Sequence, residues 1–164
     1  MMLYFPIIPR LRKLLKVPRY HAMLQHEFVR PTNNRFMTDI YDSEDWQKFM
    51  GPPTYPNDRI GAQFCNDTFP ANAEGSISIT PGVCMNMSLP PTERAKPANM
   101  MLIFVMPSSI KGEAQRKYFN FMARFELNEL FHRGVDGVKF KIYSTSLDTP
   151  GRAELMGTFL LLYS

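Results

Sequence analysis

The chain of 164 residues lacks most of the residues and patterns that mark a particular chemistry. It has two cysteines, Cys65 and Cys84, with neither a CxxC pair nor zinc-ligand spacing, which excludes a zinc ribbon and a disulfide scaffold. The two could face each other if their strands pair. Two free thiols in a reducing compartment is the simpler reading. The three histidines, His21, His26 and His132, stand apart and form no HExxH pair. No glycine-rich phosphate loop is present, and Ser108-Ser109 lacks the glycines of a nucleophile elbow. Nothing marks a His/Asn pair that would activate Cys65. The longest apolar run, residues 100–106, has seven residues, far fewer than a bilayer span needs, so no membrane partner is expected. The opening residues 1–8 are apolar but include Pro6 and lack a charged n-region, which argues against a secretory signal. Internal repeats and low-complexity tracts are absent.

What is present suits a folded domain. Hydrophobic residues make up 45% of the chain, with 13 Phe, 7 Tyr and 12 Met, enough for a core. Fourteen prolines cluster in connections between short elements. The net charge of +4 permits a nucleic-acid partner without demanding one. Five of the basic residues, Arg10, Arg12, Lys13, Lys16 and Arg19, come before the first acid at Glu27. With Leu11, Leu14 and Leu15 on one face and Arg10, Lys13 and Lys16 on the other, the stretch predicts an amphipathic helix opened by Pro9 and broken by Pro18. That pattern fits a cationic helix better than a mitochondrial presequence, and its basic face could touch phosphates. A second helical piece carries Ala22, Met23 and His26 and ends in a loop from Pro31 to Asn34.

Residues 37–49 hold four acids, Asp39, Asp42, Glu44 and Asp45. Capping accounts for them better than metal binding: Asp42 or Ser43 is placed to cap a short helix that buries Trp46 and Phe49. Residues 51–58 form a linker. The central stretch, residues 59–94, then reads as a strand ending at Asn66-Asp67, a turn through Phe69-Pro70, a run with Ile77 and Ile79, a Pro81-Gly82 break, and a third run over residues 83–87. The run at 100–106 predicts a strand buried on both faces. Residues 112–132 predict one helix with Tyr118, Phe121, Met122, Phe125, Leu127 and Leu130 on its core side, stopped at Gly134. Residues 138–143 alternate as a half-exposed strand, and a last apolar element follows the turn at Thr149 to Gly151. Three strands before a crossover helix, with an Asp at the end of the first, is an order that a ribonuclease-H-like sheet would show, although many α/β domains begin the same way. Two-metal phosphoryl chemistry would need two or three carboxylates around ions about 3.5–4 Å apart. Asp136 and Asp148 sit in turns and Glu154 near the last element, none at a matching strand end.

Several separated features, in order, resemble the transposases of CACTA-type (En/Spm-like) DNA transposons. Tyr4-Phe5-Pro6 with Pro9-Arg10-Leu11 is similar to that family's "YxPLxPRLQRL" opening, and Ala22, Met23 and His26 to its "AxxMxxH". Asp39-Ile40-Tyr41-Asp42 with Trp46 resembles its "D..DG..W" stretch. Ile60-Gly61 through Asp67 and Phe69 resembles "RLGLxxDGFNPF", which carries the first catalytic Asp. Leu89-Pro90-Pro91 matches "YNLPP", and Phe104 to Pro107 stands where the family has "xxIPGP". Phe125 to Val135 is similar to "LIDELKxLWxxGV", and Arg152-Ala153 with Leu155 to "RAxL".

The resemblance implies an α/β fold, an incomplete ribonuclease-H-like mixed sheet (strand-hairpin-strand-helix-strand) over residues 59–164. A helical N-terminal segment and linker over residues 1–58 precede it. It further implies a nuclear protein that acts on transposon-end DNA, with a possible transposase oligomer as partner, Mg²⁺ or Mn²⁺ as cofactor, and Asp67 as a metal ligand. Departures accompany the matches. Thr68 replaces the glycine after the Asp, Pro70-Ala71 replaces "NPF", and the register of the second Asp falls on Leu161. The chain stops before the family's cysteine pair and final Glu. A fragment without cleavage activity or bound metal is therefore expected, at most binding DNA or a full-length transposase through Arg10, Arg12, Lys13, Lys16 and Arg19. It is also expected to expose a sheet edge and an apolar face, and so to fold marginally.

Overall fold

Ile7, Leu11, Leu14 and Leu15 recur at helical spacing, and they give the first helix the stripe that it buries. The computed structural model describes residues 1–31, 36–52, 56–110 and 112–146. It places this helix, α1, at Ile7–Leu15, just after a two-residue strand, β1, at Leu3–Tyr4. Pro18 ends α1 and opens α2 (Pro18–Met23), where the missing N–H costs nothing. A single turn, α3, follows at His26–Val29. In the acid-rich stretch, Asp39 and Asp42 form a reciprocal capping box around a 3₁₀ turn at Ile40–Asp42. The Ser43 hydroxyl then accepts the Trp46 N–H at 3.2 Å to cap α4 (Glu44–Met50). The acids there cap helices, and Trp46 is buried below them while Phe49 is half-buried.

The remaining strands are β2 (Arg59–Asn66), β3 (Phe69–Pro70), β4 (Ser78–Asn86), β5 (Met100–Pro107) and β6 (Lys139–Ser146). Between β4 and β5 lie α5 (Pro91–Arg94) and a 3₁₀ turn at Pro97–Asn99; between β5 and β6 lie α6 (Glu113–Met122) and α7 (Asn128–His132). The strands form one mixed sheet in the order β1-β5-β4-β2-β6, with β3 added beside β4. Every pairing is antiparallel except that of β2 with β6, which the α6–α7 crossover makes parallel. The chain is thus α/β with a mixed sheet. Among the described residues β6 ends the sheet on one side. On the other, β1 covers β5 only at Leu3↔Val105 and Tyr4↔Phe104.

Strand alternation separates two cores. Ile60, Ala62 and Phe64 of β2, with Phe140 and Ile142 of β6, meet Ile7 and Leu11 of α1 and Leu130 of α7 on one face. Gly61 and Tyr143, one residue out of phase, meet Trp46 on the other. The larger core therefore crosses the expected boundary at 58/59, since Tyr20 and Leu24 also belong to it. A hydrogen-bonded chain reinforces that contact. Asn86 Nδ2 donates to Tyr20 Oη at 2.8 Å, Ser88 N–H to Asn86 Oδ1 at 2.9 Å, and Gly61 N–H to Ser88 Oγ at 3.0 Å.

Three expectations change. Pro81-Gly82 does not break the hairpin strand: both lie inside β4, opposite Val105 and Phe104, and a register shift after Gly82 absorbs them. Gly82 is needed because a Cβ there would lie 2.3 Å from the Phe104 ring. The 112–132 helix is not uniform. In α6 Phe119 and Met122 are buried and Phe121 (49% exposed) turns outward; a turn of π-helix at Ala123–Leu127 then shifts the face, so Glu126, Leu127 and Leu130 are buried and Phe125 (68% exposed) is not. The strand β5 buries Met101, Ile103, Phe104 and Met106 but leaves Met100, Leu102 and Val105 half-exposed, so one face of it is only partly covered. Cys65 and Cys84 do sit on paired strands, but opposite Val83 and Phe64 respectively, and both are free thiols. Burial pushes both thiols up, Cys84 more strongly. The loop positions Thr32 to Asn34, the turn from Thr149, the last apolar element, and Asp148, Glu154 and Leu161 lie outside the described residues. No helix among the described residues is long and apolar enough to cross a membrane.

Gly61 supplies a direct test of the second core. A Cβ there would meet Trp46 at 2.4 Å. Gly61→Ala should therefore cost about 1–3 kcal/mol of stability in urea denaturation, and Trp46→Leu in the same chain should recover part of the loss by removing the obstructing ring.

Candidate functional site

Asp67 follows the last residue of β2, where the sheet places the C-terminal ends of the parallel pair side by side: Cys65 stands opposite Ser146. The Asp67 side chain is exposed, and its Oδ1 accepts the Thr68 N–H at 2.8 Å. Thr68 is fixed in turn by a 2.7 Å hydrogen bond between its hydroxyl and that of Thr80 on β4. Asp67 is thus held at a defined strand end. However, no group of three His, Cys, Asp or Glu able to hold a metal ion occurs among the described residues. Asp67 alone does not fit the two-ion arrangement that the transposase resemblance implies, so no reaction step is assigned to it.

The cationic residues of α1 are spread over different environments. Arg10 turns back on its own chain, donating from Nε to Pro6 O at 3.0 Å and from Nη2 to Phe5 O at 2.9 Å. Its burial lowers its pKa, opposed by the nearby Glu126 charge. Arg10 therefore braces the β1–α1 turn. Arg12 lies 3.7 Å from Asp136 in the turn between α7 and β6, with both side chains about half exposed. Lys13 and Lys16 are exposed and form no ion pair with a described residue. Arg19 extends from α2 to Glu93 at 3.6 Å and remains largely exposed. The face that meets solvent is thus Arg12, Lys13, Lys16 and Arg19, and the last turn of α1 suits its cations because helix carbonyls point there.

Glu126 sets where that face lies, and its role was not legible in the sequence. It is 5% exposed. Its Oε1 accepts the Ile8 N–H at 2.7 Å, capping α1 from across the molecule, and its Oε2 accepts a hydrogen bond from the Tyr4 hydroxyl. A carboxylate suits a helix N-terminus, where the first N–H groups lack partners within the helix. Burial, the hydrogen bond to Glu126 and that residue's charge together raise the Tyr4 phenol well above its usual range. The partners are 118 and 122 residues apart, and the periodic pattern around Glu126 assigns it to the solvent side. The π-helical turn reverses that assignment.

A second polar group that the sequence does not reveal ties α5 to the capping box. Arg94 Nη2 donates to Asp39 Oδ1 at 2.6 Å, and Arg30 Nη2 to Asp42 Oδ1. Both guanidinium groups lie over the Tyr41 ring, at 5.3 and 5.6 Å from its centre. The hydrogen bond from Arg30, with backbone N–H donors from Thr38 and Asp39, lowers the Asp42 carboxyl well below the usual carboxylate range. The ion pairs fasten α5 and α3 to the capping box, although Arg30 Nε and Nη1, Asp39 Oδ2 and Tyr41 Oη are buried without a hydrogen-bond partner among the described residues.

Beside the basic face, a cavity of about 320 Å³ opens between α1, α2 and the turn after α5. Leu14, Tyr20 and Met23 contribute apolar surface, and Arg19, Glu93 and Lys96 contribute charge. Glu93 is drawn to Lys96 at 2.6 Å and to Arg19, and it also accepts from Asn99 Nδ2 at 3.3 Å. These contacts, that with Lys96 first, lower its pKa. Comparison with protein-family models, with curated proteins and with solved structures finds no match.

If Glu126 anchors α1, removing its carboxylate should loosen the basic helix selectively. Glu126→Ala should lose about 1.5–3 kcal/mol in chemical denaturation, the range for hydrogen bonds to a charged group, with faster amide exchange concentrated in residues 7–15. Tyr4→Phe should lose less, since the Ile8 N–H contact survives.

Proposed function

We propose that this chain is part of the catalytic region of a CACTA-type DNA transposase, with a ribonuclease-H-like core, that by itself binds DNA without cutting it. The observation that carries the reading is the strand order. Three antiparallel strands, β2, β4 and β5, precede a helical crossover that returns β6 parallel to β2, and Asp67 stands at the β2 end of that pair. This is the arrangement the resemblance implies for the first acidic residue. Mg²⁺ or Mn²⁺ belongs to the intact family's reaction, where such ions activate a nucleophile and steady a leaving oxygen. In the resemblance the register of the second acid falls on Leu161, so the proposed activity of this chain stops at binding in the nucleus. A full-length transposase is the proposed protein partner.

The binding surface is the solvent side of α1 and the start of α2. Lys13 and Lys16 are exposed, and Arg12 and Arg19 have partners at 3.7 and 3.6 Å, loose enough to exchange an acid for a phosphate. With two to four phosphates contacted, the logarithm of affinity should fall with the logarithm of salt at a slope of about −2 to −4. Replacing Lys13 and Lys16 by Glu should abolish that binding without lowering stability. Arg10→Ala should instead destabilise the β1–α1 turn. Binding that ignores salt, or that survives the double charge reversal, would remove the DNA-binding reading. In the same assay, wild type and Asp67→Ala should both leave transposon-end DNA intact in Mg²⁺ or Mn²⁺. Metal-dependent cleavage lost in Asp67→Ala would replace the non-cleaving reading with an active enzyme.

A further inference from the structure

The cavity beside α1 has a position and a chemistry that bare phosphate binding does not use. We propose that it receives one unstacked nucleobase of single-stranded DNA whose backbone runs along Lys13, Lys16 and Arg19. This rests on the reading of the basic helix as a DNA surface and extends it from backbone contact to base contact.

Charge complementarity favours this occupant. Arg19 and Lys96 belong to the cavity wall, and Lys16 lies three residues before Arg19 in the chain, so cations flank an apolar recess. At about 320 Å³ the recess stands at the lower end of small-ligand sites. Leu14, Val17, Tyr20 and Met23 offer a planar ring an apolar surface, while phosphates on either side would remain with the lysines and Arg19 in solvent. A detached apolar ligand would leave Lys13 and Lys16 unused, since Arg19 and Lys96 already pair with Glu93. A free phosphate would leave the apolar wall wet and meet Glu93.

Glu93 gives the recess a preference. Its carboxylate is fastened by Lys96, Arg19 and Asn99, yet two carboxylate oxygens can accept about four hydrogen bonds. A base carrying an exocyclic amino group, as cytosine, adenine and guanine do, can donate to it from that group, whereas thymine offers only its ring N3–H. Duplex DNA must first extrude the base at an energetic cost, so a single strand is the preferred form.

The test uses the full chain and oligonucleotides carrying 2-aminopurine at one position in turn. We expect a fluorescence change at one site, tighter binding to single strands than to duplex of equal length, and weaker binding of oligo-dT than of oligo-dC. Ala98→Trp would fill the recess from the exposed turn at Pro97–Asn99 without altering charge. It should erase the fluorescence change and weaken single-strand binding roughly tenfold, the worth of one stacked base. Glu93→Gln should narrow the gap between oligo-dC and oligo-dT. Salt-sensitive binding with no fluorescence change in wild type at any position, or with an Ala98→Trp chain that binds as wild type does, would overturn the base site and leave the basic surface standing. Absence of all DNA binding would overturn both.

Discussion

Burying a carboxylate costs several kcal/mol unless its oxygens are met by hydrogen-bond donors. Glu126 meets its donors at the opposite end of the chain, in the Tyr4 hydroxyl and the Ile8 N–H. One side chain thereby closes β1 onto the sheet edge, caps α1 and fastens both to the crossover between β5 and β6. The cationic side of α1 faces outward because Ile7 and Leu11 are fully buried behind it, and Glu126 holds the helix end that keeps them there. The solvent-facing row of Arg12, Lys13 and Lys16 is a consequence of that anchoring.

The sheet depends on close approach in a similar way. Gly61 and Gly82 have no side chain because the rings of Trp46 and Phe104 occupy the places where a Cβ would go. Trp46 reaches Gly61 of β2 from α4, which Ser43 and the capping box start where the preceding turn ends. The contact links the acid-rich stretch to the strand that ends at Asp67. Its rigidity, and the Thr68–Thr80 bond beyond it, define where the Asp67 carboxylate stands.

Local chemistry made much of this visible before any tertiary contact was known. Pro18 had to open or close a helix, Ser43 and the neighbouring acids had to cap one, and the alternation after Gly134 had to be a half-exposed strand. Each follows from groups within a few residues of one another. The failures share a cause as well. Pro81-Gly82 looks like a stop because a proline lacks a ladder donor, and only the register shift opposite Phe104 lets the strand continue. Phe121 and Phe125 look like core because an unbroken 3.6-residue repeat assigns them there. Within α6 the buried side is instead that of Phe119 and Met122, and the π-helical turn at Ala123–Leu127 adds a residue to the winding and buries Glu126 and Leu127 in place of Phe125.

The candidate site divides along the same line. Sequence by itself determined that a cationic amphipathic helix opens the chain, that Asp67 ends a strand, and that no cysteine, histidine or glycine pattern supports another chemistry, since these rest on residue type and short spacing. Tertiary structure alone decided that Arg10 serves the fold while Lys13 and Lys16 face solvent. It also decided that Glu126, more than a hundred residues away, sets the helix in place, and that a recess with Glu93 and Lys96 adjoins it. Those outcomes depend on which distant groups meet when apolar surface is removed from water, and no spacing along the chain encodes that meeting.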